Sequence, residues 1–202
     1  MFDILHTDDI RVEHCDDTRR NIQRVLDVCR KERRPYIIFK NDFSTQQSCN
    51  SKVQTYTIST ILAPVTMLEE EVYKAEICTY LARKTGAHLI LLRAHDYGSK
   101  AKQNTQRIVT HIQTISKQTS TPISYEIRVA QKDSFHIYKE IPALLSNLQK
   151  EDRGGFLVLL TASREYGLDD WLFGPPELYV IHKSATPVML INPRADLFSL
   201  CD

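Results

Sequence analysis

Between Ile58 and Ile191 the chain alternates short apolar runs with stretches of helical periodicity, and this alternation limits the possible folds more than any other feature. Strands buried on both faces read as continuous branched apolar runs, and neighbouring parallel strands need a crossover between them, usually a helix. Ile58 to Val65 reads as a first strand, His88 to Ala94 as a second and Ile123 to Val129 as a third; Phe156 to Leu160 is a fourth and Val188 to Ile191 a fifth. Between the first two, Glu69 to Lys84 places Val72, Ala75, Cys78 and Leu81 on one helical face and stops at Gly86. Ala101, Thr105, Ile108, Ile112 and Ile115 mark the next helix. Phe135, Tyr138, Ile141, Leu145 and Leu148 mark another, with Asp133 or Ser134 as its N-cap and Pro142 either kinking it or delaying its start. Glu177 to Lys183 supplies the last helix. Strand and helix in strict alternation predict an α/β fold, an open, mostly parallel five-stranded sheet with helices on both faces.

Upstream, Asp17 or Thr18 is placed to cap a helix with Ile22, Val25, Leu26 and Cys29 on one face, and a strand at Pro35 to Phe39 follows; Phe2 to Leu5 is a candidate strand before them. Ser44 to Lys52 is polar and aperiodic, so it reads as linker. The chain thus divides into a partial unit at 1–43, a linker at 44–55 and a domain at 56–202.

Composition narrows the functional classes. The 26 Lys and Arg residues and 25 Asp and Glu residues are interleaved, which argues against a nucleic-acid or membrane-surface partner. No apolar run approaches the roughly 18 residues of a membrane span, and the first residues lack a basic-then-apolar leader pattern, so a cytoplasmic protein is expected. The five cysteines contain no C-x-x-C pair; Cys29 and Cys78 lie on apolar helix faces and read as core. His95 and Asp96 have no companions at metal-ligand spacing, and Asp96 to Ser99 reads as a turn and helix cap. Ser163 lacks the G-x-S-x-G surroundings of a nucleophile elbow, so no catalytic residue is assigned and no enzyme is expected. In open parallel sheets ligands sit beyond the carboxyl ends of the strands, a rim that here carries Thr66, Ala94-His95-Asp96, Ala130 and Thr161 to Gly167. Trp171 and Phe173 are read as anchors for that last loop.

Several segments in order carry a family resemblance: Ile61-Leu62-Ala63-Pro64-Val65, Ala82 to Leu92, Thr161 to Gly167 with Phe173-Gly174-Pro175-Pro176, and Thr186-Pro187-Val188-Met189-Leu190-Ile191. Over roughly residues 56 to 194 the chain resembles a universal stress protein domain, which implies an adenine nucleotide alpha hydrolase-like, Rossmann-like fold. In that family the fourth strand leads into a phosphate loop of form G-x2-G-x9-G-[ST]. Laid on that pattern, the positions are Thr161, Arg164, Gly174 and Pro175, so only the third glycine is kept. The family's aspartate after the first strand is Thr66 here. Glycine lets backbone amides approach an anion closely, and Arg164 and Pro175 withdraw part of that access.

The ligand-site candidates implied are Thr66, Ala94, Thr161, Ser163, Arg164 and Gly174. The function implied is a regulatory or interaction module that does not hydrolyse nucleotide and holds no cofactor; the alternative is a switch that binds AMP, ATP or another small anion through Arg164, Ser163 and the backbone near Gly174. The resemblance also implies that Val188 to Ile191 pairs antiparallel with a counterpart, either in a homodimer or with Tyr36 to Phe39 of the same chain, since an open apolar edge invites a partner. Residues 1 to 43 then resemble the tail of a shortened first half in a tandem member of the family.

Overall fold

The computed structural model describes residues 11–31, 35–40, 57–151, 154–162 and 175–191. Seven strands form one sheet: β1 (Arg11–Cys15), β2 (Tyr36–Lys40), β3 (Ile58–Val65), β4 (His88–Arg93), β5 (Tyr125–Val129), β6 (Gly155–Thr161) and β7 (Val188–Ile191). Their order is β1-β2-β7-β6-β3-β4-β5, and every pairing is parallel except β2 with β7. The five expected strands are all present; the additional two come from the upstream unit, whose β1 lies at Arg11–Cys15, while Phe2 to Leu5 falls outside the described residues. The alternating charges of Arg11, Glu13 and His14 hide β1 from a search for apolar runs.

Among the described residues five α-helices cover the faces: α1 (Arg19–Lys31), α2 (Lys74–Thr85), α3 (Lys100–Thr119), α4 (Ile141–Glu151) and α5 (Pro176–Lys183). Ile22 and Leu26 of α1, Ile141 and Leu145 of α4, and Leu178 and Ile181 of α5 pack on one face against Ile38, Leu62, Val158 and Val188. Cys78 and Leu81 of α2 and Ile108 and Ile112 of α3 pack on the other, against Ile61, Leu89, Leu91 and Met189. Gly86 stops α2 in the left-handed region at φ 72°, which a residue with a Cβ adopts only under strain. Pro142 is the second residue of α4, so the proline delays the helix and does not kink it. Asp133 accepts from the backbone N–H of Phe135 and His136 at 3.0 Å each, and His136 holds its carboxyl below the usual range. Phe135 leaves the expected stripe and is exposed, because it sits in this capped turn ahead of the helix.

The antiparallel joint sets Tyr36 opposite Leu190, Ile37 opposite Met189 and Ile38 opposite Val188. A β-α-β unit therefore lies on each side: β1-α1-β2 and β6-α5-β7. Lys40 Nζ reinforces the joint, donating to Asp17 Oδ1 at 3.0 Å and to the His182 carbonyl at 3.1 Å. With β2 on one side and β6 on the other, β7 has no free edge, so Val188 to Ile191 cannot receive a second copy while this joint is made.

Cys78 is fully enclosed, and burial pushes its thiol up to about 12 from 9.0. Below pH 9.0 the thiol is protonated in both folded and unfolded chains; above it the unfolded chain loses the proton first, so stability falls as pH rises from 9.0 toward about 12. Denaturation at stepped alkaline pH is expected to show a slope about 1.4 kcal/mol per pH unit steeper for the natural chain than for Cys78→Ala. Parallel slopes would remove Cys78 as the titrating group. The Cys29 side chain lies outside what is described.

Candidate functional site

Along the sheet, the chain runs outward from β3 to β4 and β5, then returns to place β6 on the other side of β3. That reversal makes the carboxyl ends of β3 and β6 the topological switch point of the sheet. The β3–β6 register ends at Leu62 opposite Val158, whereas β3 stays paired with β4 as far as Val65. Pro64 falls beyond the last β3–β6 pair, where its missing N–H leaves no ladder bond unmade. Beyond that point a cleft of about 180 Å³ opens, lined by Pro64 and Thr66 from one strand end and Leu160, Thr161 and Ala162 from the other.

Thr66 and Thr161 therefore do meet at one site. Thr66 is buried, its hydroxyl donating to Glu71 Oε1 at 3.0 Å and accepting from the Leu68 N–H at 3.3 Å. Its carbonyl, with that of Leu68, is held by Asn104 Nδ2 at 2.9 and 2.8 Å. Among the described residues Thr161 Oγ1 is buried without a hydrogen-bond partner. Ala94 does not line the cleft; it is buried, and its N–H donates to the Val65 carbonyl at 2.9 Å. Ser163, Arg164 and Gly174, with Trp171 and Phe173, lie outside the described residues.

The strongest polar feature of the cleft lies elsewhere, in a 3-10 turn at Glu69–Tyr73 and the first residue of α2. Lys74 Nζ lies 2.5 Å from Glu71 Oε2 and donates to the Pro64 carbonyl at 2.6 Å. The two side chains are 2% and 3% exposed, so this is a buried ion pair at the mouth of the central strand. Glu70 and Glu177 bring further carboxylates to the lining. Val72, expected on the buried stripe, is only half-buried; the stripe of Cys78 and Leu81 continues upstream through Lys74 and Glu71. The available signal was an opposite-charge pair three residues apart, in phase with an apolar face.

Asp96 does not cap α3. Its carboxylate accepts from Ser134 N–H at 2.8 Å and Ser134 Oγ–H at 2.5 Å, and Ser134 Oγ accepts in turn from the Met67 N–H at 2.8 Å. The three loops after β3, β4 and β5 are thereby tied together beside the cleft. Among the described residues no cluster of three or more His, Cys, Asp or Glu side chains is placed to hold a metal.

No protein-family model and no curated protein matches this sequence. Solved structures do match. A universal stress protein from Archaeoglobus fulgidus DSM 4304 superposes with a TM-score of 0.59 at 13% identity, covering 93% of this chain and 62% of its own. This chain thus spans less than two thirds of that protein's length. A universal stress protein in complex with cAMP aligns at 14% identity and a TM-score of 0.49, covering 68% of this chain and 99% of its own. The fold assignment rests on the first of these: the chain has the α/β, mostly parallel sheet architecture of universal stress proteins, here with seven strands.

Proposed function

We propose that this chain is a universal-stress-like regulatory or interaction module that neither hydrolyses nucleotide nor holds a nucleoside polyphosphate in the β3/β6 cleft. The observation that carries this reading is Lys74. Among the described residues it is the ammonium that lines the cleft at the switch point, and it is already satisfied by the Glu71 carboxylate and the Pro64 carbonyl. Freeing it for a phosphate would leave Glu71 buried and uncompensated, a loss of several kcal/mol. Thr66 adds to the argument, since its hydroxyl and carbonyl are both committed within the protein. The described cleft, at about 180 Å³, is also below the roughly 300 to 1,000 Å³ of small-molecule sites. Within this reading β1-α1-β2 is the closing part of a reduced first half, and the antiparallel β2–β7 joint supports it.

Calorimetric titration with ATP and with AMP, run on the natural chain and on Arg164→Ala, tests the proposal. No saturable heat is expected for either nucleotide at about 1 mM, a level that detects binding as weak as about −4 kcal/mol. Saturable binding lost in Arg164→Ala overturns it in favour of an anion switch built on that arginine.

A further inference from the structure

The sheet ends at β5, which pairs with β4 on one side and, among the described residues, with nothing on the other. Its residues alternate by face. Tyr125, Ile127 and Val129 lie opposite Leu89, Leu91 and Arg93 of β4, on the face covered by α2 and α3, whereas Glu126 and Arg128 lie opposite Ile90 and Leu92 on the other face. Ile127 is 44% and Val129 is 53% exposed, large values for branched apolar residues in a strand. Proteins usually blunt an open edge with charged side chains, lysine above all, with proline or with a bulge. Tyr125 to Val129 contains no lysine or proline, its register with β4 is unbroken, and its two charges, Glu126 and Arg128, are of opposite sign and paired with each other.

From this edge we infer that a second copy of the chain adds antiparallel to β5, about a two-fold axis through Ile127. Charge complementarity selects this occupant and this register. Pairing about Ile127 sets Glu126 opposite Arg128 of the second copy and Arg128 opposite its Glu126, while Tyr125 meets Val129 and Ile127 meets itself. All opposed pairs are then unlike charges or apolar partners, the combinations that stabilise antiparallel strands. A slip of one residue would set Glu126 against an apolar residue, so the register is specified. Within one chain Arg128 Nε already lies 2.6 Å from Glu126 Oε1, so the paired edges would carry an alternating four-charge ladder. The result is a continuous sheet of two chains joined at the end opposite β1, independent of the cleft and of the β2–β7 joint.

Sedimentation equilibrium of the full chain from about 1 to 100 µM tests this, since a small edge interface binds in roughly the micromolar range. The natural chain is expected to be dimeric at the upper end. Glu126→Arg and Arg128→Glu each place like charges opposite one another at both symmetry-related positions, and each should weaken the dimer roughly thirtyfold. The combined E126R/R128E chain restores unlike pairs and should dimerise within about threefold of the natural chain. A monomeric natural chain at the highest concentration overturns the proposal. So does a dimer indifferent to both single reversals, or a double variant no tighter than either single one. Circular dichroism verifies that each variant is folded; should a charge reversal unfold the chain, Ile127→Lys, which sets two ammonium groups against each other at the axis, takes its place.

Discussion

Lys74→Met is expected to destabilise the protein by about 3–5 kcal/mol, because it strips the counter-charge from a carboxylate that is almost wholly shielded from water. Methionine matches the stem of lysine in length and packs in the same space, so the loss reflects Glu71 left alone beneath the cleft, with its Thr66 hydrogen bond as the remaining support. The Pro64 carbonyl also loses its donor. Urea denaturation should show the midpoint falling with an unchanged slope. Removing both charges in Lys74→Met with Glu71→Leu should recover much of the loss, since a buried pair replaced by apolar side chains is often neutral or better. A single variant that costs less than about 1 kcal/mol, in the range of an exposed pair, would show that the two groups are solvated.

The second large effect concerns the joint between the two β-α-β units. Ile38 is 1% exposed and sits between Glu13 of β1 and Val188 of β7. Ile38→Asp puts a carboxylate into the apolar layer formed with Ile22, Leu26 and Val188, at an expected cost above about 4 kcal/mol. The damage should be local. The β3–β4 and β3–β6 ladders share no residue with Ile38, whereas among the described residues β2 is the sole strand linking β1 to the rest of the sheet. Amide exchange followed by mass spectrometry should show residues 11–40 opening to near-solvent rates while β3, β4 and β6 keep their protection. Uniform loss of protection across the sheet would mean that the upstream unit is an inseparable part of one cooperative core.

How much of this was legible beforehand depends on where the chemistry of a residue agreed with its position. Ile61 to Val65, Leu89 to Leu92 and Phe156 to Leu160 are apolar and buried on both faces, so their strands were evident from the residues alone. Gly86 and Pro142 marked helix limits by backbone constraint, which is local and readable. β1 was missed because it lies at one end of the sheet and carries Arg11, Glu13 and His14. Glu71 and Lys74 were missed for a related reason: each charge alone signals solvent, and only their mutual neutralisation allows them into the interior. The pairing of Asp96 with Ser134 is likewise beyond a linear reading, since 38 positions separate partners that the sheet brings within 2.5 Å. Thr66 was found through its place at a strand end, and its commitment to Glu71 and Asn104 emerged only from the fold.

The seam between Tyr36–Ile38 and Val188–Leu190 also bears on biosynthesis. During translation the early segment leaves the ribosome well before its partner strand is made, and a contact so distant along the chain forms late. Until then Ile22, Leu26 and Ile38 have no lasting shelter, so docking of the amino-terminal block is expected to be the final event of maturation and the stage at which nascent chains depend most on chaperones.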